Sequence, residues 1–258
     1  MPMHGKFECN LQGCCCANLR GQISKDEIEE YNFRNKNGQI YYLMPPKDWT
    51  INLFEWEVKR LIEIAKEKNV NVELKPNIIL FDEKQKVGIA IGWNLEHDNC
   101  PFLSNLKCSI YTERPLACRL YPLKGIFEPE DGTAFVFKCP RVDKNYFGAK
   151  LKMAEALKLL RSYFGDIFYY SEQNHFLNRY TIELIKFITN KGKFKPNRSK
   201  PLDFFRKKIE KSKMYGLEEF LQLNNIPIEK YVKQREELQN IESFKKMMDT
   251  ILDANGSQ

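Results

Sequence analysis

Eight cysteines are the residues of this chain best equipped for chemistry: Cys9, Cys14, Cys15, Cys16, Cys100, Cys108, Cys118 and Cys139. All lie before residue 140, and the remainder of the 258-residue chain has none. A lone cysteine usually packs as a small hydrophobe. Eight in half a chain, three of them consecutive, point instead to thiolates gathered on a metal. The first group runs Phe7-Glu8-Cys9-Asn10-Leu11-Gln12-Gly13-Cys14-Cys15-Cys16. Gly13 can take a positive φ there and bring backbone amides close to sulfur. If neighbouring side chains alternate, two of Cys14, Cys15 and Cys16 serve one centre and the third packs or serves another. The second group runs from Cys100-Pro101-Phe102-Leu103 through Cys108 to Cys118-Arg119-Leu120-Tyr121-Pro122. Thr112 is placed to cap a short helix with Pro115 in its first turn, where a missing N–H costs nothing. Cys118 would project from that helix, and Pro122 forbids its continuation. Free amides near a helix start favour thiolate over thiol.

Arg114 and Arg119 bracket Cys118. A centre with four thiolates is negatively charged, so these guanidinium groups are candidate counter-charges in a poorly solvated pocket; the alternative makes both surface groups. His97, three residues before Cys100, is a further ligand candidate read first as a polar loop histidine. His4 and His175 offer no case.

Zinc and iron–sulfur centres both accept four thiolates in tetrahedral surroundings. Structural zinc usually shows paired Cys-x-x-Cys knuckles, which this sequence lacks. Its thiols are dispersed over more than a hundred residues, which favours one or two iron–sulfur clusters of the [4Fe-4S] kind, with Zn2+ as the alternative. The compartment agrees. The chain start lacks an apolar stretch of signal-peptide length, and the longest apolar run, Val87 to Trp93, falls short of the roughly 20 residues a spanning helix needs. A soluble, cytoplasmic protein with no membrane contact is expected, where thiols stay reduced and disulfides are disfavoured. The intracellular disulfides of hyperthermophiles remain open as the exception.

A hydrophobic content of 43% with 13% aromatics excludes disorder. The formal net charge of +7 fits an ordinary lysine-rich surface, and also an acidic partner, RNA or a membrane surface.

The elements that must position the thiols follow from periodicity and turn residues. Ser24 to Glu27 is a capping-box pattern opening a helix to about Phe33. Asn37-Gly38 turns into a strand at Gln39 to Leu43. Leu53, Trp56, Leu61, Ile64 and Ala65 predict an amphipathic helix over Ile51 to Lys68. Strands are expected at Val70 to Leu74, Asn77 to Phe81 and Val87 to Trp93, the last two joined by Asp82 to Lys86. Leu123 to Phe127 and Ala134 to Phe137 form a second hairpin turned by Pro129 to Gly132. Helices are expected at Ala149 to Phe164, Ile167 to Ile188, Leu202 to Met214, Leu217 to Leu223 and Ile228 to Leu252, with Lys191 to Lys200 as a polar linker. The fold class is α+β: a small, mostly antiparallel sheet carrying cysteine-rich metal-binding loops over residues 1–145, then a helical region over 146–258.

The second cysteine group resembles the YkgJ-type cysteine-cluster family, a zinc- or iron-chelating domain that includes the flagellin lysine N-methylases. Cys100, Cys108, Ile110, Tyr111, Arg114, Pro115, Cys118, Arg119, Tyr121 and Pro122 carry the resemblance, with Phe7, Cys9, Gly13, Cys15 and Cys16 in the opening group and Cys139-Pro140 at its end. Gln12 stands where that family commonly has another cysteine, and Cys14 is a candidate replacement. The resemblance covers roughly residues 7 to 140. All eight cysteines are candidate metal ligands, and Tyr111, Arg114 and Arg119 are candidate cofactor-contacting residues. The resemblance implies a metal-dependent group transfer, a protein lysine methylase using S-adenosylmethionine, or a redox enzyme acting on a protein or small molecule. No S-adenosylmethionine fingerprint accompanies it: Gly88-Ile89-Ala90-Ile91-Gly92 sits in an expected strand with no helix after it. No Cys-x3-Cys-x2-Cys radical signature is present.

A second reading is a non-catalytic zinc or iron module that binds a protein or RNA. Lys191, Lys193, Lys195, Arg198 and Lys200, with Phe194 among them, could then contact phosphates, although a solvated linker explains them as well. Tyr169, Tyr170, Phe176 and Tyr180 are expected in helix cores. Asp82-Glu83 and Glu128 to Asp131 read as exposed turn acids without a catalytic role.

Overall fold

The hydrophobic spacing that predicts the first amphipathic helix is where the fold is most easily understood. Val58, Leu61, Ile64 and Ala65 recur every three or four residues and are buried on one stripe of an α-helix, while Lys59, Arg60 and Glu63 face outward. Burying each larger side chain contributes on the order of 2 kcal/mol. The computed structural model describes residues 7, 15–20, 25–37, 40–127, 134–137, 139, 142, 152–196 and 200–255. Along them run α1 (Lys25–Asn37), β1 (Tyr41–Tyr42), β2 (Asn52–Leu53), α2 (Glu55–Glu67), β3 (Leu74–Asp82), β4 (Val87–Leu95), β5 (Leu103–Ser104), β6 (Lys107–Cys108), α3 (Leu116–Arg119), β7 (Leu123–Phe127), β8 (Ala134–Phe137), α4 (Met153–Phe164), α5 (Asp166–Asn190), α6 (Leu202–Glu210), β9 (Lys213–Gly216), α7 (Leu217–Leu223), α8 (Glu229–Gln239) and α9 (Ile241–Asn255). The class is α+β, as the sequence predicts. No helix among the described residues is long and apolar enough to cross a membrane.

The chain divides into two units, each built from discontinuous segments: residues 11–115 with 181–228, and residues 1–10 with 116–180 and 229–258. The first unit is organised on the β3–β4 hairpin. It pairs antiparallel from Leu74↔Leu95 to Asp82↔Val87, with irregular register near Ile78. β1 pairs antiparallel with β3, and on the other edge of β4 lie β2, antiparallel, and β9, parallel. Ile79 and Phe81, two apart on β3 and hence on one face, pack with Ala90 and with Leu202, Phe205 and Ile209 of α6. α2 instead closes a core with Leu53, Leu95, Phe102 and Ile110. Gly88 and Gly92 are strand glycines: a Cβ on Gly88 would lie 2.7 Å from the Met214 side chain, and one on Gly92 would lie 2.6 Å from Asn52.

Three expectations change. Residues 70–73 form no strand, and Leu74 instead begins a single strand that takes in the predicted Asn77–Phe81 and runs to Asp82. The helix predicted to Met214 ends at Glu210, because the outer edge of β4 over Val87 to Ala90 takes Lys213–Gly216 as a parallel strand. The last predicted helix is two, α8 and α9, broken at Asn240, whose side chain accepts the N–H of Ser243 at 3.0 Å. Ser24, Gly38, Pro129 to Gly132 and Ala149 lie outside the described residues.

Asp82 is the sharpest departure. Read as an exposed turn acid, it is only 1% exposed. Its carboxylate accepts the N–H groups of Lys84 (3.0 Å), Gln85 (3.1 Å) and Lys195 (2.8 Å), and the Gln85 side-chain amide (3.0 Å). It therefore closes the β3–β4 turn and ties the segment after α5 to it. The same segment is no loose linker: Phe194 is fully buried and meets Phe220 edge-on.

In the second unit, α4 and α5 bury Leu160, Phe164 and Phe168 with Leu123, Cys139 and Leu252 of α9. Gln173 on α5 donates to the Leu238 carbonyl of α8 at 2.6 Å. Beside it, burial pushes the Glu172 carboxyl up to about 7.

Asp82→Ala leaves four donors without their acceptor, and we expect it to cost roughly 3 kcal/mol in urea denaturation. Glu172→Gln tests this half-buried acid. A carboxyl whose folded pKa is raised is favoured as its protonated form. Stability of the unaltered protein therefore falls as pH rises from about 4.5 to about 7. The variant is expected to be more stable by about 2–3 kcal/mol at pH 8, and no different below pH 4.5, in denaturation curves taken at both pH values.

Candidate metal centre

Among the described residues, four cysteines share the first unit: Cys15, Cys16, Cys100 and Cys108. Cys16 and Cys100 are brought together by the backbone, since the Cys100 N–H donates to the Cys16 carbonyl at 2.7 Å. Three residues along, the Leu19 N–H donates to the Asp98 carbonyl at 2.8 Å. The two chain segments thus run side by side, and Arg20 fastens them. Its guanidinium pairs with Asp98 at 2.5 Å, with Asp48 at 2.7 Å and with Glu96 at 3.7 Å. Nothing in the spacing of the cysteines singles out Arg20. Its only sequence signal is that Glu96 and Asp98 immediately precede Cys100.

Cys108 arrives on a tight hairpin. Leu103 pairs with Cys108, and Asn105 and Leu106 between β5 and β6 hold φ of 50° and 60°. Two successive positive φ values match the twist of a two-residue hairpin. The Leu103 N–H also donates to the Cys100 carbonyl at 3.0 Å, which places the hairpin directly after Cys100. Beneath it Phe102 and Ile110 are buried against α2, with Leu19, Cys100 and Cys108 packed around them. Hydrophobic burial therefore sets the depth of the thiols, and backbone pairing sets their register.

The thiols interact directly. Cys15 donates to the sulfur of Cys16, and Cys16 donates to Cys100. The Cys15 thiol is held well above its usual pKa by the bond to Cys16 and by burial, while the backbone N–H groups of Cys15 and Cys16 pull the other way. The Cys16 thiol is pushed up to about 11, first by its bond to Cys100, then by burial and by the nearby Cys100 and Cys108 charges. Strict alternation of neighbouring side chains thus fails for Cys15 and Cys16, whose sulfurs meet. Among the described residues no group of three or more Cys, His, Asp or Glu side chains has the geometry of a metal site as it stands. Cys9 and Cys14 lie outside the described residues.

Cys118 and Cys139 belong to the second unit. Cys118 is half-buried on the short helix α3, which begins at Leu116 and not at Thr112: Thr112 lies in a 3-10 turn over Tyr111–Glu113, and Pro115 precedes the helix instead of sitting in its first turn. Cys139 is buried among Leu123, Leu160 and Phe164. All six described cysteines are thiols rather than disulfides. Arg114 stacks over the Tyr111 ring, 3.7 Å from its centre, and donates to the Tyr111 carbonyl at 3.0 Å. Arg119 lies 5.6 Å from the centre of the Tyr170 ring. His97 accepts the Glu73 N–H through Nε2 at 3.1 Å, a loop-fastening contact that occupies one ring nitrogen.

The donor set is all sulfur, partly buried, and supplied with backbone N–H groups. Those are the conditions under which thiolates of zinc or iron–sulfur centres are held, so the residues fit such a group. No curated protein and no solved structure matches the chain. Residues 8–140, just over half of it, match the CxxCxxCC family, described as "Putative zinc- or iron-chelating domain". The chain belongs to that cysteine-cluster family.

Proposed function

We propose that this protein carries a sulfur-ligated iron–sulfur centre, held by Cys16, Cys100 and Cys108 with Cys15 as the fourth thiolate, and that it works in the cytoplasm. The observation that carries the reading is the backbone pairing of the two thiol-bearing segments, Cys100 N–H to the Cys16 carbonyl at 2.7 Å and Leu19 N–H to the Asp98 carbonyl at 2.8 Å, with Cys108 on the hairpin that follows Cys100. Two segments far apart in sequence, the Cys15–Cys16 stretch and the Cys100–Cys108 loop, are paired through the backbone, and thiols gathered there are costly to leave buried and ionised without a cation. Deprotonation on binding a cation removes the thiol-to-thiol hydrogen bonds and replaces them with metal bonds. When bound, an iron–sulfur cluster supplies one-electron chemistry and cross-links the segments it touches.

The chain's own contribution is positional. The Cys16–Cys100 backbone bond fixes two of the donors, the β5–β6 hairpin supplies the third, and Arg20 clamps both segments from the acidic side. Iron–sulfur is favoured over zinc because Cys16, Cys100 and Cys108 come from dispersed loops and not from paired Cys-x-x-Cys knuckles.

Protein purified without oxygen is expected to be brown and to contain iron and acid-labile sulfide. Cys16→Ser and Cys100→Ser are each expected to lower bound iron at least tenfold while the far-ultraviolet circular dichroism is retained. A colourless sample with stoichiometric zinc overturns the cluster, and a sample free of both metals overturns the site. Arg20→Met keeps every thiol but removes the clamp; bound iron is expected to be lost to a chelator roughly tenfold faster, which tests the positioning role separately.

A further inference from the structure

The positive charge of the chain is concentrated in one stretch. Residues 191–213 hold ten Lys and Arg against Asp203 and Glu210, a net +8, while the whole chain is +7. The rest of the molecule is therefore almost neutral, and an evenly lysine-rich surface does not describe it. Phe194, Leu202, Phe205 and Ile209 are buried, and Lys193, Lys200, Lys207, Lys208 and Lys211 are exposed around them. On the exposed side of α6 sits Phe204, half exposed at 50%. The Lys200 ammonium lies 4.0 Å from its ring centre and that of Lys208 5.1 Å.

We infer that this face of α6, with Lys193 and Lys200, binds single-stranded nucleic acid. The lysines meet phosphates, and the Phe204 ring takes a base. A base stacked on an exposed ring gains more than a solvated lysine over the same ring, so a base displaces an ammonium and leaves it beside the adjoining phosphate. A duplex keeps its bases stacked internally and offers none to the ring. An anionic membrane asks for an apolar helix face beneath the charges. Here that face, Leu202, Phe205 and Ile209, is spent in the core. Lys208 also pairs with Glu83 and Arg206 with Asp203, so the lysines at 193, 200, 207 and 211 carry most of the phosphate contact.

The test is fluorescence anisotropy of the full chain with a labelled 20-nucleotide oligouridylate, a duplex DNA of equal length and vesicles containing phosphatidylserine. Binding to the single strand should weaken as salt rises, with a log–log slope of about −0.7 per phosphate contacted. Phe204→Ala should weaken it about tenfold at unchanged slope. Lys207→Gln with Lys211→Gln should lower the slope by about 1.4. Both variants change exposed side chains and should keep the circular dichroism of the parent. No salt-dependent binding, an unchanged affinity for Phe204→Ala, equal affinity for the duplex, or binding to vesicles but not to the strand would each overturn the inference.

Discussion

The fold of the first unit depends on one crossing. Where the segment carrying Cys15 and Cys16 passes the segment carrying Cys100, two backbone hydrogen bonds, Cys100 to Cys16 at 2.7 Å and Leu19 to Asp98 at 2.8 Å, fix the register of the two. Everything chemical about the site follows from that register, because a shift of one residue would swap the thiols for Ala17 or Pro101. The bonds are short in reach and cannot hold two loops by themselves. Arg20 supplies the rest by drawing in carboxylates from three places, Asp48, Glu96 and Asp98. Surface ion pairs taken singly stabilise little, but one guanidinium shared among three carboxylates is a network with fixed geometry.

Behind the crossing lies a rigid support. The β3–β4 hairpin leads through β4 directly into the loop of Cys100, so any strain at the thiols is resisted by the longest strand pair of the unit. The hairpin is itself locked at its far end by the buried carboxylate of Asp82, which gathers its own turn and the stretch after α5. The basic face of α6 rests on the same sheet through Phe205 and Ile209. Sheet, thiol loops and basic face thus share one scaffold.

Much of this was legible in the sequence, and the reasons differ by element. α2, the β3–β4 hairpin, the β7–β8 hairpin and α7 carry strong local periodicity, and local periodicity is what a single sequence displays. The family followed from the long run between Cys100 and Pro122. β9 was invisible, because Lys213 to Gly216 looks like the end of a helix until the open edge of β4 is seen. Asp82 was misread for a similar reason. A turn carboxylate is exposed by default, and only the arrival of Lys195 from more than a hundred residues away buries it. Arg20 is equally non-local. The cysteines could be recognised as a group, but which of them meet is set by chain crossings that no spacing encodes.

In the proposed centre, sulfur atoms of Cys16, Cys100 and Cys108 surround a common metal. Metal K-edge X-ray absorption on the chain as isolated from cells without oxygen measures that directly. The prediction is a first coordination sphere made of sulfur alone, at about 2.3 Å and numbering close to four. A sphere dominated by nitrogen or oxygen would contradict it, because the metal would then be held by histidines and carboxylates and the thiols would be bystanders.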